Sequence, residues 1–164
     1  MTRRLVREIV EGRVSAKVTP GTVVFLIGMR INRFTDVRSW LPVFRAMGPM
    51  LKELLKNPDL GLLSAKSFMS GRVVMLVQYW RDIDSLNAYA SNRDASHLPA
   101  WQQFNKAARK SKSVGIFHES YVIADYETVA VNMPSNFGLA GATLQLPTVE
   151  RGDTARDRLS KSKE

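Results

Sequence analysis

Residues 72–104 read RVVMLVQYWRDIDSLNAYASNRDASHLPAWQQF, a hydrophobic strand that closes on Tyr79-Trp80 and passes through two acidic residues into a helical pattern. Side chains along a strand alternate between faces, so Val73, Met75, Val77 and Tyr79 share one side and Val74, Leu76, Gln78 and Trp80 the other. Asp82 and Asp84 are suited to capping a helix built on Ile83, Leu86 and Tyr89-Ala90, which Ser91-Asn92-Arg93-Asp94 brings to an end. Ser96 can cap a second helical segment, with Leu98 and Pro99 in its first turn, running to about Arg109. There His97 and Trp101 stand four residues apart, on one face, with Phe104 beside them. One imidazole therefore lies in an otherwise apolar stripe. The stripe is either a core-facing surface, in which His97 bonds something local, or the wall of a pocket.

Upstream, Leu60–Met69 and Arg72–Trp80 read as strands joined at Ser70-Gly71, a pair suited to a two-residue hairpin turn. Before them, Val37, Trp40, Leu41, Phe44, Met47, Leu51, Leu54 and Leu55 keep the spacing of an amphipathic helix. Ser39 is a candidate cap, Pro42 falls in the first turn, Gly48-Pro49 predicts a kink or restart, and Asn57-Pro58 the end. TVVFLIGMRI, from Thr22, is the near-continuous apolar run of a strand buried on both faces. Downstream, VGIFHESYVI, residues 114–123, is a fourth strand, with Val114, Ile116, His118, Ser120 and Val122 on one side. Alternation alone does not say whether that side meets the helices or the opposite surface. Residues 126–133 read as a short further strand or an extension.

The order strand, helix, strand, strand, helix, strand is the ferredoxin-like split motif, an α+β fold with helices on one face of a four-stranded antiparallel sheet. The expected boundaries are a basic N-terminal arm over 1–20, the domain over 21–133, and a C-terminal arm or flexible tail over 134–164. Because the first strand is apolar on both sides, the sheet's outer face needs cover, and a homodimer formed through it is expected.

Composition narrows the chemistry. The 164 residues contain no cysteine, which excludes disulfides, thiolate catalysis and cysteine-ligated metals. The longest apolar run, 23–29, is too short to span a bilayer, and the N-terminus is a poor secretory signal, so a cytoplasmic location is expected. The net charge of +9 raises nucleic acid as a partner. Its basic clusters, Arg3, Arg4, Arg7, Arg13 and Lys17 at one end and Lys106, Arg109, Lys110 and Lys112 further on, come without a helix-turn-helix, zinc finger, RNP motif or phosphate loop, which argues against that partner. No GxSxG, GxGxxG or HExxH pattern is present.

VVFLIGMRINRF, the Met-Gly-Pro-Met helix, QYWRDIDSLNAYA and DASHLPAWQQFNKAAR together resemble the dimeric α+β barrel superfamily. The likeness, over roughly residues 20–130, is to a monooxygenase-like branch long catalogued as a domain of unknown function. It implies a cavity between the helices and the concave sheet face. The superfamily includes cofactor-independent monooxygenases, haem-degrading monooxygenases, chlorite dismutases and haem-containing aldoxime dehydratases. In several members a helix after the third strand supplies a pocket histidine, and His97 holds a similar place.

Three functions follow as expectations. The first is cofactor-independent oxidation of an electron-rich aromatic or enolisable molecule. His97 would act as base, an imidazole titrating ordinarily near 6.5, with Trp101, Phe104, Tyr79, Trp80 and Phe25 as an aromatic wall and Arg30 or Asn32 steadying the oxyanion. His118 is a second candidate imidazole. The alternatives are a haem protein with His97 as axial ligand and basic side chains on the propionates, and a non-catalytic small-molecule-binding dimer. No other metal site is expected.

Overall fold

The computed structural model describes residues 8–92 and 112–163. Val23–Tyr121 forms one compact unit, and residues from both ends of the chain form a second. The expected helix over 96–109, with His97, Trp101 and Phe104, lies outside the described residues.

The central unit carries β2 (Val23–Ile31), α1 (Val37–Lys56), β3 (Leu62–Ser70), β4 (Val73–Trp80), α2 (Ile83–Ser91) and β5 (Val114–Val122). Its sheet order is β3-β4-β2-β5, the interleaved order that the split motif requires. β2 pairs antiparallel with β4 from Val23 opposite Trp80 to Arg30 opposite Val73. β3 pairs with β4 from Ser70 opposite Val73, with an irregularity between Leu62 and Ser64. The hairpin's two loop residues are thus Gly71-Arg72, one position later than expected. Gly71 takes φ 52 there, as tight hairpin turns demand.

α1 is a single helix with both Pro42 and Pro49 inside it, so of the kink or restart expected at Gly48-Pro49 the restart does not occur, and the helix begins before the candidate cap Ser39. Asp36 precedes its first turn, and the Ser39 hydroxyl donates to the Asp36 carboxylate at 2.7 Å. Both prolines are exposed. The opposite stripe packs into the core, with Leu54, Met50 and Leu51 in one cluster and Trp40, Val43 and Met47 in another. That packing offsets the backbone hydrogen bonds that the prolines remove.

These clusters identify the covered side of the sheet. Val23, Phe25 and Met29 of β2, Val74 and Trp80 of β4, and Val114 and Ile116 of β5 all pack toward the helices. Val24, Leu26, Val73, Met75, Val77 and Phe117 consequently face the other way, and each is part-exposed. On that outer side Phe117 lies across Gly28, where a Cβ would sit 2.7 Å from Phe117 Cε1 and 2.8 Å from the Val74 carbonyl oxygen.

The terminal segments, expected as an arm and a tail, form regular structure instead. β1 (Ile9–Lys17) is the middle strand of a sheet ordered β6-β1-β7, with β6 at Ala130–Pro134 and β7 at Leu144–Pro147. Two short helices follow, α3 (Thr148–Arg151) and α4 (Ala155–Ser160). Here side chains supply much of the fastening. Thr128 accepts from the Ala16 amide at 2.7 Å, and the Tyr126 hydroxyl accepts from the Val18 amide at 3.0 Å. Arg158, 5% exposed, bonds Glu127 and donates to the Gly152 and Asp153 carbonyls. Among the described residues no helix is long and apolar enough to cross a membrane.

Candidate functional site

The covered face of the sheet does not meet the helices everywhere. Phe25 and Ile27 of β2, Gln78 and Trp80 of β4, and His118 and Ser120 of β5 look across a cavity of about 290 Å³. Met50 and Leu54 of α1 and Leu86, Asn87, Tyr89 and Ala90 of α2 close it from the other side. The lining is largely aliphatic and aromatic with few polar groups, the usual make-up of a small-molecule site.

Rigid elements hold each wall. The Asp82 carboxylate accepts from the Ser85 amide at 2.6 Å and starts α2, which sets the turn on which Leu86, Tyr89 and Ala90 stand. That bond, followed by the Ser85 side-chain bond and the neighbouring Arg81, holds the Asp82 carboxyl below its ordinary value. Trp80 is 1% exposed, and its ring lies 5.8 Å from that of Tyr89. The Tyr89 hydroxyl donates to Glu53 Oε2 at 3.2 Å and so links α2 to α1. On the sheet, Phe25 stands directly opposite Gln78, and its ring centroid is 5.9 Å from that of His118, tilted by 44°. A row of Gln78, Phe25 and His118 therefore crosses three neighbouring strands. Gln78 is 1% exposed, and its Oε1 accepts from the Trp80 indole N–H at 2.9 Å.

Of the residues singled out from sequence, Phe25, Trp80 and His118 come together here. Alternation leaves two sides open for His118, and the structure places it on the helix side, at the exposed rim of the cavity. Tyr79, Arg30 and Asn32 do not line the cavity. Tyr79 points to the sheet's outer face, where burial pushes its hydroxyl pKa up. Arg30 is exposed and donates to Asn32 Oδ1, while Asn32 Nδ2 donates to the Lys112 carbonyl at 2.9 Å. This pair ties the end of β2 to Lys112, just before β5. Gln78, Tyr89, Met50 and Leu54 were not singled out. Alternation already groups Gln78 with Trp80, but the sequence carries no signal of which strand face the helices leave uncovered. Among the described residues no three His, Asp or Glu side chains converge on a metal-sized site.

A family model described as Monooxygenase af470-like matches residues 22–139. The aldoxime dehydratase OxdRE, crystallised with butyraldoxime, is similar at 16% identity and a TM-score of 0.65, over 82% of this chain and 41% of its own. A second aldoxime dehydratase structure gives 17% identity and a TM-score of 0.65 over 82% and 42%. This chain thus spans about two fifths of the length of those enzymes. SnoaB, a cofactor-independent oxygenase from Streptomyces nogalater, overlaps 65% of this chain and 96% of its own at 9% identity and a TM-score of 0.46. At such identities the likeness concerns fold alone. No curated protein matches the chain.

Proposed function

This chain belongs to the monooxygenase af470-like family, with the fold of the dimeric α+β barrels, and from that premise we propose that it oxidises a small enolisable or electron-rich aromatic molecule with O2 in the 290 Å³ cavity. The observation that carries this reading is the imidazole of His118 at the rim of an otherwise apolar, aromatic-walled space. A neutral imidazole is suited to removing a proton near neutral pH, and an apolar wall lets the resulting carbanion meet O2 with little competition from water. Overall, a methylene group and dioxygen become a carbonyl group and water. The base takes one proton and the carbanion adds to O2. Returning that proton gives a hydroperoxide, and loss of the second C–H proton breaks the O–O bond to yield the carbonyl and water. No flavin, metal or haem enters these steps.

Two imidazoles are available as base: His118 in the cavity wall, and His97, the candidate from sequence. Single variants separate them. Loss of the base lowers the rate of O2 uptake by about 10²–10⁴-fold. That drop is expected for His118→Ala. If His97→Ala shows it and His118→Ala does not, His97 takes the role, and if neither does, an imidazole base is ruled out.

Haem is the competing occupant. The cavity lies at the small end of ordinary ligand pockets, about 300–1,000 Å³, and suits one or two rings better than a tetrapyrrole. Haemin titration tests this directly. A stoichiometric Soret band, lost in a histidine variant, would replace the cofactor-free reading.

A further inference from the structure

Gln78 gives the cavity an oriented hydrogen-bond donor. An indole N–H can only donate, so the group facing Trp80 at 2.9 Å is the Gln78 carbonyl oxygen, and the amide orientation is fixed by its partner. The Nε2 hydrogens must then point elsewhere. The residues directly across from Gln78 on the two adjoining strands are Phe25 and Ala65, neither of which offers a side-chain acceptor. Among the described residues Nε2 has no hydrogen-bond partner, and Gln78, 1% exposed, lines the cavity. Nε2 is not among the fully enclosed, unpaired polar atoms of the structure, so it meets the cavity, where a ligand that brings an acceptor oxygen can pair it.

We propose that Gln78 is the specificity-determining residue of this cavity, selecting a flat, roughly two-ring ligand whose carbonyl or enolate oxygen accepts from Nε2. The size follows from the sheet. Gln78 and His118 stand on strands separated by β2, hence roughly 10 Å apart at strand spacing, with the Phe25 ring between them. A ligand meeting both groups spans that distance with an apolar body lying over Phe25. Its oxygen is at Gln78 and its acidic C–H is toward His118. This inference rests on the cavity being the ligand site, and within the proposed reaction it makes the Gln78 amide the donor to the oxygen on which the carbanion's charge resides.

The test is binding, independent of turnover. 2-Acetylnaphthalene carries one acceptor carbonyl and no donor, and 2-isopropylnaphthalene matches its shape without the acceptor. Each is titrated against the full chain while tryptophan emission is followed, since Trp80 lines the cavity. The wild type is expected to prefer the ketone by roughly five- to tenfold, the scale of one neutral hydrogen bond. Gln78→Met keeps the length and Gln78→Leu much of the bulk, each without the amide donor. Circular dichroism identifies folded variants. In either variant that folds, the preference is expected to disappear while the hydrocarbon still binds. Equal binding of both probes to the wild type, or a preference that survives in a folded variant, overturns the role of Gln78 and leaves the cavity as a ligand site. Failure of both probes to bind the wild type overturns the cavity reading, and this inference falls with it.

Discussion

Phe25, Gln78 and Gly28 show how much single positions settle in this fold. Phe25 and Gln78 face the cavity as a cross-strand pair, whereas Gly28, three residues further along β2, faces outward beneath the Phe117 ring. A methyl group at Gly28 must displace both that ring and the Val74 carbonyl, and the carbonyl is backbone and yields little. Gly28→Ala is therefore expected to destabilise the central unit by about 1–3 kcal/mol, measured by urea unfolding. A ΔΔG near zero would mean that the ring and the carbonyl both give way freely. Asp82 offers a test by pH. Its folded-state pKa is lowered, chiefly by the Ser85 amide. The stabilisation it gives is thus fully present above the ordinary value of 3.8 and is lost as pH falls through the lower, folded value. Asp82→Ala is expected to lower the melting temperature at pH 7, with the difference from wild type vanishing in acid. Asp82→Asn, which can still cap, stays close to wild type at pH 7. A deficit that persists unchanged in acid would remove the carboxylate from the argument.

At the scale of elements, strands and helices with strong period were legible, and long-range pairing was not. The alternation of β4, the 3–4 spacing of α1 and the Asp82 cap of α2 are each stated within a few neighbouring residues. β1 is different. Its Glu11, Arg13 and Lys17 are exposed, so its sequence reads as a polar arm. Only pairing with segments over a hundred positions away reveals it as a strand, as in the Gly12 amide donating to Asn132 Oδ1. The side taken by His118 was hidden for the same reason, since period two names two faces and tertiary packing chooses between them. The survival of α1 across Pro49 is a case of packing overriding a local signal. Leu54, 1% exposed, is its one fully buried residue and lines the cavity as well. Leu54→Ala is expected to cost about 2–5 kcal/mol in denaturant unfolding. A loss below about 1 kcal/mol would indicate that α1 is held chiefly by other contacts.

For the whole molecule, the outer sheet face, with its part-exposed Val24, Leu26, Val73, Met75 and Val77, calls for cover. We propose a second copy of the chain. Sedimentation at micromolar concentration is expected to give twice 18.4 kDa, and a mass of 18.4 kDa would contradict this. The chemistry is tested most directly by oxygen consumption with product analysis. The protein, without added flavin, metal or haem, is supplied with 2-tetralone and related two-ring ketones and phenols, and compared with Ala90→Trp, which puts a bulky ring at the cavity wall to obstruct it. One O2 consumed per carbonyl gained, with turnover abolished in a folded Ala90→Trp, is the expected result. No uptake across the panel, uptake that needs haemin, or equal rates in the obstructed and open proteins would contradict a cofactor-free oxygenase working in this cavity.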